Sequence, residues 1–389
     1  MGNMLLILQQ LDIWNILQLA GFALGLIILL LLIKVSSGLK RYIPLIVFVG
    51  ITILQLLLDF MIDTKQIKYF PHLLYILEPF NMIWGALLYL YARNMEAQRF
   101  RLCKLDLLLL IPFLLSLLTY MPYYFTSGAE KLKDFVVYGE LKTDVVDSVW
   151  EWIFEVSVNT GFLWFALRQL AKYNGKIKEQ FSDIQQLDLH LTQVMIKVFM
   201  GIYLVELLFV FMTFYGFPYY EPLFYTLELL GGGFLLLIAY DAIISNKYIV
   251  EIQKGWVTVP VSEVEIDGQI VKYAKSTLTD EMSDQIKTDL VNYMNEEKPY
   301  LQTQIRIKDL SEKTGIPSHQ ISQVINESFQ QNFYEFVNSY RVKEAMKLLK
   351  DSNFKNYTYT AIGFEVGFNS KSAFYNAFKK VTGTTPAKY

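Results

Sequence analysis

Seven long apolar runs fill the first 245 positions: Ile13–Ile33, Ile43–Ile62, Pro71–Ala92, Leu105–Tyr124, Val149–Leu170, Val194–Tyr215 and Pro222–Ile244. A run of about 20 apolar residues crosses the hydrocarbon core of a bilayer as a helix, because no water is there to satisfy an open backbone. Any one of these runs also fits a helix buried in a globular core; seven in series read as a bundle spanning a membrane. The composition is 53% hydrophobic and 19% charged with 28 Phe and 26 Tyr, outside the range of ordinary globular chains. Most of that excess lies before Ser245, while Lys, Glu and Asp are denser after it. The net charge of −2 averages two unlike halves. The expected fold class is all-α: a polytopic seven-helix membrane bundle over 1–245, a linker over 246–278, and a charged cytoplasmic domain over 279–389.

The placement of Lys and Arg in short loops sets the orientation. Lys34, Lys40 and Arg41, then Arg93, Arg99, Arg101 and Lys104, then Lys172, Lys176 and Lys178 mark one side. The other side carries only Lys65, Lys68, Lys131, Lys133 and Lys142. The first set is expected in the cytoplasm and the N-terminus outside, which leaves the C-terminal domain in the compartment that holds bacterial DNA. The first residues lack a basic region and the first apolar run exceeds a signal-peptide core, so it is read as a true span. Arg168 and Lys197, near inner ends, suit snorkelling to headgroups.

Acidic residues inside spans cost free energy unless they face one another, a cavity or water. Asp59, Glu78, Glu151, Glu155, Glu206 and Glu228 fall in the outer half or near the middle on this topology, with Trp84, Trp150, Trp152, Tyr203 and Tyr225 at similar depths. Glu151 and Glu155 share a helix face. Two readings are open. Glu78, Glu151, Glu155, Glu206 and Glu228 line a ligand pocket for a cationic or amine-bearing signal, or they bond across helices as packing glue. Gly231-Gly232-Gly233 permits close helix packing or a flexible point, and packing is the favoured reading.

One cysteine, Cys103, excludes an internal disulfide, and the three histidines are too dispersed for a metal site. Without a nucleophile elbow, HExxH or phosphate loop, no enzyme, metal or cofactor is expected. In the linker, Val261–Tyr273 around Asp267-Gly268 fits a small hairpin, while Gly255 and Pro260 fit an extended connector. From Thr279 a capped helix is expected, with Ile286, Leu290, Tyr293 and Met294 on one stripe.

The last part of the chain repeats a pattern at about fifty residues. Ile307–Thr314, the turn at Gly315 and Ser318–Phe329 form one helix-turn-helix (307–329); Tyr359–Val366, Gly367 and Ser370–Val381 form a second (359–381). Ser311 and Gly363 each precede the turn glycine by four positions, where paired helices cross closely. Phe333–Leu349 is expected as a spacer helix between the two.

The stretch AIGFEVGFNSKSAFYNAFKKVTGTTPAKY and the segment SYRVKEAMKLL resemble the AraC-type DNA-binding domain, over Thr303–Tyr389. The resemblance implies that the second helix of each unit enters successive major grooves about 34 Å apart on duplex DNA. By position it implies His319, Ser322 and Gln323 as base-facing in the first unit, and Lys371, Ser372, Tyr375 and Asn376 in the second. Lys379, Lys380 and Arg341 suit phosphates or packing. Gln and Asn can bond adenine bidentately and Lys can reach guanine. The helix PSHQISQVINESFQ departs from the family by lacking Lys and Arg and carrying Glu327. That leaves the first unit either a weak reader or a prop, and hints that two chains cooperate as a homodimer.

A membrane bundle joined to such a domain resembles a bacterial architecture of sensory regulators. The expected function is a one-component transcription regulator in the bacterial inner membrane, in contact with lipid and controlled by a small-molecule or membrane-derived signal. The alternative is a transporter or membrane enzyme with an autoregulatory DNA-binding tail. A third reading makes the spans a tether released by proteolysis. The segment from about Thr279 is expected to fold on its own.

Overall fold

The structure is a computed structural model that describes residues 12–36, 42–96, 102–137, 145–184, 189–215, parts of 226–243, and 278–389. Its regular elements are helical among the described residues, apart from an isolated antiparallel bridge between Phe181 and Arg306. The chain divides into two compact units, Met1–Tyr173 with Leu189–Lys247, and Asn174–Asp188 with Tyr248–Tyr389.

In the first unit, α1 (Ile13–Ser36) and α2 (Ile43–Asp63) pack side by side. Gly25 allows the approach, since a Cβ there would stand 2.7 Å from Ile53 Cγ1. The third apolar run is not one continuous helix as expected. Tight 3-10 turns at Pro71–Leu73 and Glu78–Ile83 precede α3 (Trp84–Arg93). Pro71 and Pro79 open these turns, where a residue without an amide donor cannot continue an α ladder. The fourth run likewise begins as a 3-10 segment, Lys104–Leu110, and becomes α4 (Ile111–Phe125) at Pro112. After α5 (Gly128–Val137), α6 spans Val145–Gln180 and α7 His190–Phe214.

Helix α6 corrects the expected loop after Leu170. Lys172, Lys176 and Lys178 lie on its last turns, because Ala171–Gln180 contains good helix formers and no proline. Among the described residues, five segments are long and apolar enough to cross a membrane: Ile13–Lys34, Ile43–Asp63, Pro71–Arg93, Lys104–Phe125 and His190–Phe209. Of the other two expected runs, one is embedded in the more charged α6. The last falls mostly outside the described residues, although its described positions between Thr226 and Ile243 are helical. The linker hairpin over 261–273 lies outside the described residues. A Cβ on Gly232 or Gly233 would meet nothing within 4 Å among the described residues.

Polar side chains tie the first unit together. Gln18 donates to Asp63 at 2.7 Å, Asn159 Nδ2 donates to the Asn81 carbonyl at 2.9 Å, and Asn159 Oδ1 accepts from the Gly85 amide at 2.9 Å. Arg93 pairs with Asp106, and Thr192 with Asp241. Arg168 stacks on Trp164 at 4.0 Å from its ring centre.

In the second unit, Thr279 caps α8 (Asp280–Glu296) by accepting from the Met282 amide. Then come α9 (Ile307–Thr314), α10 (Ser318–Phe329), α11 (Phe333–Leu348), α12 (Tyr359–Glu365) and α13 (Lys371–Thr382). The turn residues Gly315 and Gly367 have φ of 71° and 94°, the left-handed region that glycine enters without steric cost. Two cores result. Leu290, Met294, Leu310, Ile321, Ile325 and Phe336 build one, and Val342, Ile362, Val366, Phe368, Phe374 and Phe378 the other. Helix α11 serves both: its first half supplies Phe333, Phe336 and Val337, its second Val342 and Ala345. It fixes the spacing of the two helical pairs because each end is locked into a separate core, where one buried aromatic stabilises by about 1.5–3 kcal/mol.

Candidate nucleic-acid interface and a carboxyl cluster

The amphipathic pattern of α13 decides which residues can reach a ligand. Phe374, Ala377 and Phe378 are buried, which turns Lys371, Ser372, Asn376 and Lys379 outward with Tyr375 half-buried among them. Lys371, Tyr375 and Lys379 are spaced by four and form one stripe. The Lys371 ammonium lies 5.5 Å from the centre of the Tyr375 ring. Ser370 caps the helix by accepting from the Ala373 amide at 3.1 Å. Helix α12 crosses α13 at Gly363, where a Cβ would stand 2.7 Å from Phe374 Cγ. Only a residue without a side chain fits that crossing.

Helix α10 has the same design with a different charge. Ile321, Val324 and Ile325 are buried, His319 is exposed, and Ser322 and Gln323 are half-buried. Gln323 Nε2 donates to Glu327 Oε1 at 3.0 Å. The amide that would read a base is therefore engaged by a carboxylate one turn on, and no cation on α10 offsets it. Lys379 is solvent-facing, whereas Lys380 pairs with Glu335. Burial works to raise the Glu335 carboxyl, and the Lys380 and Asn332 bonds outweigh it and hold it below the usual carboxylate range. Arg341 is 1% exposed, and donates to the carbonyls of Tyr300 and Gln302, both at 2.7 Å, and of Thr303 at 3.1 Å. Its role is structural.

In the first unit, carboxyls from separate elements converge. The charges acting on Glu155 come from Glu78, Glu206 and Glu151, all of them acidic. Asp59, with Asp63 beside it, also acts with Glu78. Tyr120 donates to Glu151 at 3.4 Å, and Asn81 to Glu78 at 3.2 Å. Tyr203 lies within the electrostatic reach of Glu155 and Glu206, and Tyr75 stacks near Tyr120 at 6.4 Å. Glu78, Glu151, Glu155 and Glu206 are thus brought together; Glu228 lies outside the described residues. Sequence reasoning missed Tyr120 and Asn81, which carry no periodic or charge signal of their own.

Residues 310–389 match the family model of the helix-turn-helix domain, in its AraC-type form. No curated protein sequence matches the chain. Among solved structures, a protein of unknown function from Listeria innocua is 26% identical, covering 27% of this chain and 93% of its own, with a TM-score of 0.23. The C-terminal region is a helix-turn-helix DNA-binding domain of the kind that transcription regulators carry.

Proposed function

We propose that this protein is a membrane-embedded one-component transcription regulator, whose twin helix-turn-helix units bind specific duplex DNA in the bacterial cytoplasm. One observation carries the reading: the matched DNA-binding domain shares a chain with helices whose outward faces are apolar. Ile13 is 66% exposed, Leu30 67%, Leu105 73% and Leu118 62%. Apolar surface on that scale is costly in water and matches lipid chains.

Lys371, Ser372, Tyr375 and Asn376 read bases in one groove, and Lys379 holds a phosphate. His319, Ser322 and Gln323 read the next groove once Gln323 leaves Glu327. The charge contrast favours a homodimer on a double site, since α10 contributes little phosphate attraction. Lys371→Ala and Asn376→Ala each weaken binding by roughly 1–3 kcal/mol and relax base preference in one half-site. Gln323→Ala does so about one helical turn away. Selection of preferred duplexes by each variant checks this. Unchanged preference in Gln323→Ala makes the first unit a prop.

The converging carboxyls fit a cationic or amine-bearing signal, because grouping like charges in a low-dielectric bundle is unfavourable until a cation or protons offset them. Glu155→Gln and Glu206→Gln are expected to abolish the transcriptional response of the full-length protein while leaving its duplex affinity intact. Normal induction in both variants makes these residues packing groups.

A further inference from the structure

The second unit contains a piece of chain that its sequence boundaries do not suggest. Asn174–Asp188, which takes in the last turns of α6 and the residues after them, belongs to it rather than to the unit that α7 enters. The contact is specific. Phe181 bridges Arg306 in antiparallel fashion, and the Ser182 amide donates to the Ile305 carbonyl at 3.1 Å. Ser182 is 1% exposed. Its carbonyl and hydroxyl accept from the Arg341 guanidinium, both at 3.3 Å. Asp183 then reaches the DNA-reading pair: Asn369 Nδ2 donates to its Oδ2 at 2.9 Å. Burial pulls the Arg341 guanidinium down to about 10, opposed first by the Asp183 charge and then by Tyr334.

Asn369 immediately precedes Ser370, the cap of α13. The entry of a reading helix is where a DNA phosphate docks, because side-chain and backbone donors and the positive end of the helix dipole meet there. In this structure a carboxylate takes that donor. Asp183 and a phosphate oxygen approach the same Asn369 amide, and the repulsion between two anions held that close sets them in competition. Farther along, Lys178 and Glu179 line a polar cleft of mixed charge with Asn326, Gln330 and Asn332 beside α10.

We propose that Phe181–Asp183 is an autoinhibitory strap: it occupies the entry of α13 through the Asp183–Asn369 bond, and DNA binding and strap docking exclude one another. The inference rests on the DNA-binding reading and adds its control. The strap follows directly from α6, which carries Glu151 and Glu155, so a shift of that helix acts on the strap through the chain itself. By linkage, whatever draws the strap away raises DNA affinity by the same factor by which DNA favours its release.

The test uses the full-length protein in detergent micelles and a duplex selected by it from a random-sequence pool. Asp183→Asn keeps the Ser182 bonds to Arg341 and Ile305 but removes the competing charge. It is expected to bind that duplex about fivefold more tightly than the unaltered protein. In hydrogen exchange, adding the duplex to the unaltered protein is expected to expose the Ser182 amide. Equal or weaker binding by Asp183→Asn, or a Ser182 amide as protected with DNA as without, overturns the strap. A pool that yields no preferred duplex with either protein removes the regulator reading, and the competition falls with it.

Discussion

Gly367→Ala costs the second helix-turn-helix about 3 kcal/mol or more, whereas Gly315→Ala costs the first only about 1–2. Both glycines sit at the turn of a helix pair with positive φ, and any L side chain pays for that conformation. The surroundings separate them. A Cβ at Gly367 would stand 2.6 Å from the Tyr300 carbonyl oxygen and 2.8 Å from that of Leu301, while one at Gly315 would meet nothing within 4 Å. Those carbonyls are backbone, and Arg341 holds Tyr300 in place, so neither can yield cheaply. Asparagine, which tolerates the left-handed region, should rescue position 315 and fail at 367. Hydrogen exchange in the full-length chain, followed through increasing urea at the buried amides around Ile321 for position 315 and around Phe374 for position 367, measures the difference. Equal losses at the two positions would show that backbone conformation alone sets the cost.

Arg341→Ala is expected to lose about 3–5 kcal/mol, because it strips donors from several buried acceptors at once. The carbonyls of Tyr300, Gln302 and Thr303, the side chain of Asn338 and the Ser182 oxygens all accept from this guanidinium. Lysine offers a single ammonium where a planar fork of five donors is used, so Arg341→Lys should recover less than half of the loss. The same exchange measurement reads it. Here protection is expected to fall in both cores, since Arg341 lies on the helix that joins them. A loss confined to one core would assign Arg341 to local packing.

The helix-turn-helix pairs were legible because their signals are local. Gly315 and Gly367 mark turns, Thr279 marks a cap, and buried residues at helical spacing mark the faces; the observed α9 and α10 have the expected bounds. Boundaries failed where local propensity and hydropathy disagree. Pro71, Pro79 and Pro112 divide apolar runs that hydropathy alone reads as continuous, and Ala171–Gln180 stays helical after its hydropathy falls. Depth in the expected spans is what grouped Glu78, Glu151, Glu155, Glu206 and Glu228 as candidates in the sequence. Their hydrogen-bonding neighbours carried no such signal: Tyr120 lies on a different helix from Glu151, and Asn81, three residues from Glu78 in the same turn, is an ordinary polar residue in sequence. The strap was illegible for a similar reason: Ser182 and Asp183 are ordinary loop residues in sequence, and only the fold brings them to Arg341 and Asn369.

The proposed regulator binds specific DNA as one intact chain in the membrane. Cross-linking in living bacteria, followed by mapping the DNA recovered with the full-length protein from the membrane fraction, tests it most directly. Enrichment at a few discrete promoter sites, lost in the Lys371→Ala, Asn376→Ala double variant, is the predicted result. Sites recovered only with a shortened fragment outside the membrane, or no enrichment over random DNA with the intact chain, would contradict it.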